Sequence, residues 1–314
     1  MNITKQASNS NFSGGVWFAI GGTFLFASKS ILAKWVYALG GDATELLTLR
    51  MAYAVPAYAI IGWKSIQATE NVSLRRIIQA ALLGFLGYYL AAYLDLLGLH
   101  YISAQLERLT LFTYPALTAA LAWWLLGEQL NWRTIVSMAL CFVGIALMYS
   151  REVEITTESE HTLFGVLMVM GAAVSYSLYV ILGKPMMQQI GSSAFTSIAM
   201  LGSSLFVGFH FGLTRSVSDL LELDSRIHVY SVILALGCTV LPSYLINAAI
   251  IRIGASRTSI IGTAGPVLTM ILAIVVLDEP STPWHFVGMA LAIVGVSIIS
   301  ANPGTNTTSA DDGD

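Results

Sequence analysis

"TYPALTAALAWWLLGEQLNWRTIVSMALCFVGIAL", residues 113–147, and "AGPVLTMILAIVVLDEPSTPWHFVGMALAIVGVSI", residues 264–298, lie on one another without a gap at a shift of 151 residues. Pro115 falls on Pro266, Glu128 on Glu279 and Gly144 on Gly295. Leucine-on-leucine matches mean little between two apolar stretches. A proline, a glutamate and a glycine that coincide in one register mark an internal repeat. Toward the amino end, at a shift of 150, "GGVWF" falls on "FGVLM" and Lys34 on Lys184. The chain is therefore a duplication, with its halves expected at 14–150 and 163–301. An acidic linker at 151–162 joins them, and polar segments at 1–13 and 302–314 are expected to be disordered.

The 314 residues are 56% hydrophobic and 11% charged, with mean hydropathy +0.72. A soluble domain carries about 25% charged residues. The apolar residues fall into ten runs, near 15–38, 44–63, 77–99, 103–126, 131–149, 163–183, 192–213, 229–250, 255–277 and 284–301. Each has roughly the length that crosses a ~30 Å hydrocarbon core at 1.5 Å per residue. The expected fold is an all-α integral membrane protein of ten transmembrane helices, five per half. An odd number of spans inserts the second half upside down. Such inverted repeats are typical of secondary transporters, whose sites lie between the halves near the midplane. The first run is too long for a signal-peptide h-region and lacks a small-residue cleavage site, so it reads as a retained span.

Basic residues set the orientation. With the amino terminus cytoplasmic, Lys5, Lys64, Arg75, Arg76, Arg133, Lys184, Arg252 and Arg257 lie inside, and Lys34, Arg151, Arg215 and Arg226 outside. Both termini are therefore expected in the cytoplasm. A net charge of −3 without a basic stripe argues against nucleic acid as a partner. Cys141 and Cys238 lie in apolar runs and behave as small hydrophobes. There is no G-x-x-x-x-G-K-[ST], so energy would come from an ion or exchange gradient. His100, His161, His210, His228 and His285 are scattered and form no H-E-x-x-H, which argues against an integral-membrane enzyme. No cofactor and no metal are expected.

The two "P…GE/DE…G" blocks, Pro115–Glu128–Gly144 and Pro266–Glu279–Gly295, the ten spans and the paired starts "GGVWFAIGGTFLFASKSILAKW" and "FGVLMVMGAAVSYSLYVILGKP" resemble the drug/metabolite transporter superfamily. Within it, the chain resembles the bacterial EamA-type transporters over 14–301. The second copy reads Asp278-Glu279 where the first reads Gly127-Glu128. The resemblance implies a multi-pass protein of the bacterial inner membrane that moves amino acids or related small polar or amphipathic solutes, export included. It also implies a central cavity lined by spans one, three, four, six, eight and nine. The mechanism expected is alternating access, coupled to protons or to exchange. The partners are a small-molecule substrate and the lipid bilayer, with a homodimer left open. A channel or a non-transporting sensor is the alternative, because inverted repeats also occur in channels.

Charges inside the spans point to the site. Each costs roughly 2.5–3.5 kcal/mol at a helix centre on insertion scales, so each needs a partner, water or a short reach to the interface. Lys29, Arg50, Asp95, Glu107 and Arg108 all fall in one layer, within about 5–12 Å of the outer surface at 1.5 Å per residue. Glu45 is expected exposed at the rim. The repeat offers no counterpart: Arg108 falls on Ser259, Glu107 on Thr258, Asp95 on Ile246 and Lys29 on Tyr179. The layer could bind a zwitterionic solute, with Arg108 or Lys29 on its carboxylate and Asp95 or Glu107 on its ammonium. It could be an outer gate in which Asp95 or Glu107 carries a proton. It could also be a set of static pairs, or charges that reach outward from near the helix ends. Glu107 and Arg108 point about 100° apart on a helix, so Arg108 is expected to pair with Asp95, and Glu107 with Lys29 or Arg50. Tyr93, Tyr114, Tyr176 and Asn247 are further groups available to a cavity. Pro115 and Pro266 each remove a backbone hydrogen bond and are candidate hinges.

Overall fold

The computed structural model describes residues 2–67, 73–129, 131–156 and 159–300. Among them nine helices are long and apolar enough to cross a membrane: Phe12–Ala38, Ala43–Gln67, Leu74–Tyr101, Ala104–Leu126, Trp132–Glu154, Ser159–Ile190, Ser192–Thr214, Ser225–Ile253 and Arg257–Val276. A shorter apolar helix, Pro283–Ile298, is the tenth. They are called spans one to ten below. Large apolar residues such as Trp17, Leu205 and Ile251 point outward, as they do where the surrounding solvent is lipid.

The repeat governs the packing. Span one lies along span eight, and span six along span three, so the same contact is made twice with the halves exchanged. Spans two and seven, four and nine, and five and ten pair with their own counterparts. Small residues allow this close approach, as expected where lipid offers no hydrophobic drive between helices. A Cβ on Gly15 would stand 2.6 Å from Ile253, and one on Gly165 2.6 Å from Ile102, the residue that falls on Ile253. At the crossing of spans five and ten, a Cβ on Gly144 would meet the Gly288 carbonyl at 2.5 Å. One on Gly295 would meet the Ser137 carbonyl at 2.9 Å.

Irregularities in the helices repeat as well. Spans four and nine are broken at equivalent places, between Ala104–Leu111 and Tyr114–Leu126, and between Ala255–Gly262 and Gly265–Val276. Pro115 and Pro266 sit in the first turn of the second segments, where a missing N–H costs nothing. Spans three and eight each carry a π segment, Phe85–Leu90 and Ile233–Val240, which overlap at the repeat register. Gly127 and Asp278 also coincide, and both take a left-handed backbone, with φ of 70° and 52°. Aspartate tolerates that region better than most side chains, so the Gly-to-Asp difference preserves the turn.

One expectation differs from the structure. The first helix already begins at Asn2, where a disordered terminus was expected, and runs to Ala27. Much of the linker is helical too: Trp132–Thr156 extends into it and Ser159–Ile190 starts within it. The tail, 302–314, lies outside the described residues.

Candidate functional site

The break in span one creates the site. The helix stops at Ala27 and resumes at Lys29, with the Ser28 hydroxyl donating to the Phe24 carbonyl at 3.0 Å, a bond that tends to bend helices. The Lys29 ammonium pairs with Asp95 of span three and stands 3.6 Å from Glu107 Oε1 of span four. Ser30 donates to Glu107 Oε2 at 2.7 Å. Arg108 Nη2 donates to Ser30 Oγ at 2.9 Å and to the Phe26 carbonyl at 3.3 Å. Arg108 Nε also lies 3.9 Å from Glu107 Oε2. Two cations and two carboxylates thus cancel within one cluster. Glu107 is fully buried and Asp95 nearly so, while Lys29 and Arg108 keep a narrow exposed edge. Asp95 Oδ1, Glu107 Oε1 and Arg108 Nε are buried without a hydrogen bond among the described residues.

This pairing differs from the expected one. Glu107 does meet Lys29, but Lys29 rather than Arg108 takes Asp95. A lysine ammonium is a compact point charge on a flexible stem, and from the break it serves two acids at once. Adjacent Glu107 and Arg108 do approach each other, because the long arginine folds back and Ser30 links the two. Arg50 stands outside this network; its Nε donates to Thr239 Oγ1 of span eight at 3.1 Å. Glu45 is buried rather than exposed at the rim. It accepts from the Asp42 N–H at 2.9 Å while its own N–H donates to Asp42 at 2.8 Å, a reciprocal cap on span two.

Above the cluster, the start of span four is held by two carboxylates, one from span five and one from the connection between spans nine and ten. Glu152 accepts from the Ser103 N–H at 2.5 Å and from its hydroxyl at 2.6 Å. Glu279, from the second half, accepts from the Ala104 N–H at 2.8 Å. Negative charge is favourable at a helix N-terminus. These acids, with Lys34, His100, Ser103 and His285, line a cleft of about 250 Å³. The Glu107 N–H donates to the Ser103 carbonyl, so the cleft ends one helical turn from the cluster.

The same pattern of paired halves is found outside this chain. A model described as the EamA-like transporter family matches residues 13–150 and again residues 163–301. The chain belongs to the EamA-like transporter family. This is a family of transporters, not of enzymes, and membership makes the chain a multi-pass membrane protein with a small-molecule substrate. The transporter is 24% identical to the uncharacterized transporter YcbK of Bacillus subtilis, over 89% of this chain and 90% of that one. It is 26% identical to the uncharacterized transporter sll1319 of Synechocystis, over 88% and 86%. A chain of known crystal structure superposes with a TM-score of 0.61 at 15% identity, over 91% of this chain and 96% of the other, a likeness of fold alone.

The softer candidates in this EamA-like transporter fall into two aromatic groups. Tyr114 and Tyr176 meet edge to face at 5.2 Å, and Tyr176 continues to Tyr179 and Tyr88. Tyr93 lies instead between Tyr89 and His210. Asn247 is half-buried on span eight and makes no hydrogen bond among the described residues. The candidates expected from the sequence do not include Ser30, Glu152 or Thr239. Ser30 had a signal, a small hydroxyl beside Lys29; the other two become visible only once spans meet.

Proposed function

We propose that the protein is a secondary active transporter of a small polar or amphipathic metabolite, working by alternating access and driven by a proton or exchange gradient. The Lys29–Asp95–Glu107–Arg108 cluster is its gate, and the Asp95–Glu107 pair its proton carrier. The observation that carries this is the sharing of one ammonium by two buried acids from different spans, with an oxygen of each left without a hydrogen bond. Protonation of either acid would leave the ammonium to the other. Mutual neutralisation favours a gate over a standing solute site. The excess of basic residues on one side supports an orientation with both termini in the cytoplasm, which sets the cluster toward the outer surface of a bacterial inner membrane.

The test begins by comparing metabolites in cells that lack or overproduce the protein, which identifies a solute and its direction. In proteoliposomes that solute should show saturable flux and counterflow; flux with neither would mark a channel. Asp95→Asn and Glu107→Gln should each insert normally yet abolish or uncouple transport. Undiminished, still pH-dependent transport in both variants would end the proton-carrier assignment.

A further inference from the structure

Arg50 is the buried charge that the gate leaves out. It is 8% exposed, about two turns into span two. Beyond the bond from Nε to Thr239, the guanidinium has no carboxylate at ion-pair distance and no further hydrogen bond among the described residues. Asp95, the nearby acid, is taken by Lys29. Burying a cation without a counter-ion is costly, and inside a membrane span such a residue marks the path of a ligand or ion.

Polar groups lie near the guanidinium. Span three offers Tyr88 and span eight offers Cys238 and Thr239. Tyr88 and Thr239 occupy equivalent repeat positions, each within a π segment, an irregularity that recurs at functional sites. The Tyr58 hydroxyl reaches both the Thr239 carbonyl and Ser243 Oγ at 3.4 Å. Tyr58, Tyr88, Cys238 and Thr239 thus lie near a single positive charge, with the Tyr58, Tyr88 and Thr239 hydroxyls already bonded within the protein. With Nε occupied, the two Nη groups remain for the bidentate geometry that a carboxylate accepts. One unit of positive charge matches a carboxylate, whereas a doubly charged phosphate would leave a net negative charge buried. Residues 199–201 of span seven, which stand where the repeat would place a second Arg50, are Ala-Met-Leu, so the anchor belongs to one half only.

We propose that Arg50, bonded to the π segment of span eight, anchors the carboxylate of the transported solute. This rests on the transport assignment above and names its substrate class: a small organic acid or amino acid, bound through its carboxylate. The site is distinct from the gate, where charges already cancel.

The full chain, purified in detergent, would be melted with a panel of acids (acetate, lactate, benzoate, alanine, phenylalanine), each paired with its amide. At least one acid should raise the melting temperature and its amide should not. Arg50→Gln should weaken that acid's binding by about 10–100-fold, the loss of a charge-assisted bond, and Arg50→Lys should fall between. Without ligand, Arg50→Gln should melt no lower than the parent, since it removes an uncompensated charge. Glu107→Gln should keep the binding while losing coupled transport. Three results would overturn the proposal: no acid in the panel binding, binding unchanged in Arg50→Gln, or a large fall in the ligand-free melting temperature of Arg50→Gln, which would make the arginine structural. If Arg50→Gln binds normally while Glu107→Gln is uncoupled, the anchor fails and the gate stands; the reverse pattern fails the gate alone.

Discussion

At the scale of single residues, the two lysines of span one differ by what truncation leaves behind. Lys29→Ala strands two buried carboxylates that share its ammonium. Removing one partner of a buried ion pair costs about 3–5 kcal/mol. Lys34 faces Glu152 and Glu279 across the cleft without a contact ion pair or hydrogen bond among the described residues, and both acids are already satisfied by the start of span four. Lys29→Ala should therefore lower both transport and the melting temperature in detergent, whereas Lys34→Ala should change either only slightly. Equal, small effects would make Lys29 a passive charge. The sequence allowed the layer to be drawn because depth follows from counting residues along each span. It did not allow the pairing to be drawn, because partners depend on which faces of three helices meet. Glu45 shows the same limit: its position at the start of span two suggested exposure, and only its reciprocal bonds with Asp42 explain its burial.

At the scale of elements, the crossing of spans five and ten depends on the absence of side chains. Gly144 and Gly288 face each other closely enough that a methyl on either would meet the other's backbone carbonyl. Backbone cannot swing aside as a side-chain end can. Gly144→Ala should therefore cost about 1–3 kcal/mol, in the range for overpacking, seen as a lower melting temperature. Gly208, on span seven, has nothing within 4 Å of a built Cβ. There alanine should act only through helix propensity and stabilise by roughly 0.5–1 kcal/mol. Opposite signs for one chemical change would locate the effect in packing; a stabilised Gly144→Ala would refute the close crossing. Pro115, Pro266 and Gly144 were legible because they repeat in register. The π segments were not, since Phe85–Leu90 carries no residue that forces a wider turn.

At the scale of the whole molecule, the duplication is an exchange of partners rather than two modules side by side. Span one finds span eight, span six finds span three, and the remaining spans find their own counterparts. The most extensive helix contacts thus join the halves instead of lying within them. Glu279, from the second half, also caps the helix that carries Glu107 and Arg108 in the first. A half expressed alone would turn the faces around Gly15, Gly98, Gly144 and Gly165 toward lipid, losing the contacts that replace the hydrophobic drive in a membrane. Residues 1–156 and 159–314, produced separately, should each be unstable and aggregate on extraction. Produced together as unlinked chains, they should associate and recover transport, because the contacts that join the halves run between their spans. Size-exclusion profiles and flux in proteoliposomes read both outcomes. A half that is monodisperse and stable by itself would show that the contacts within it suffice, and the exchanged packing would then be a consequence of folding rather than its cause.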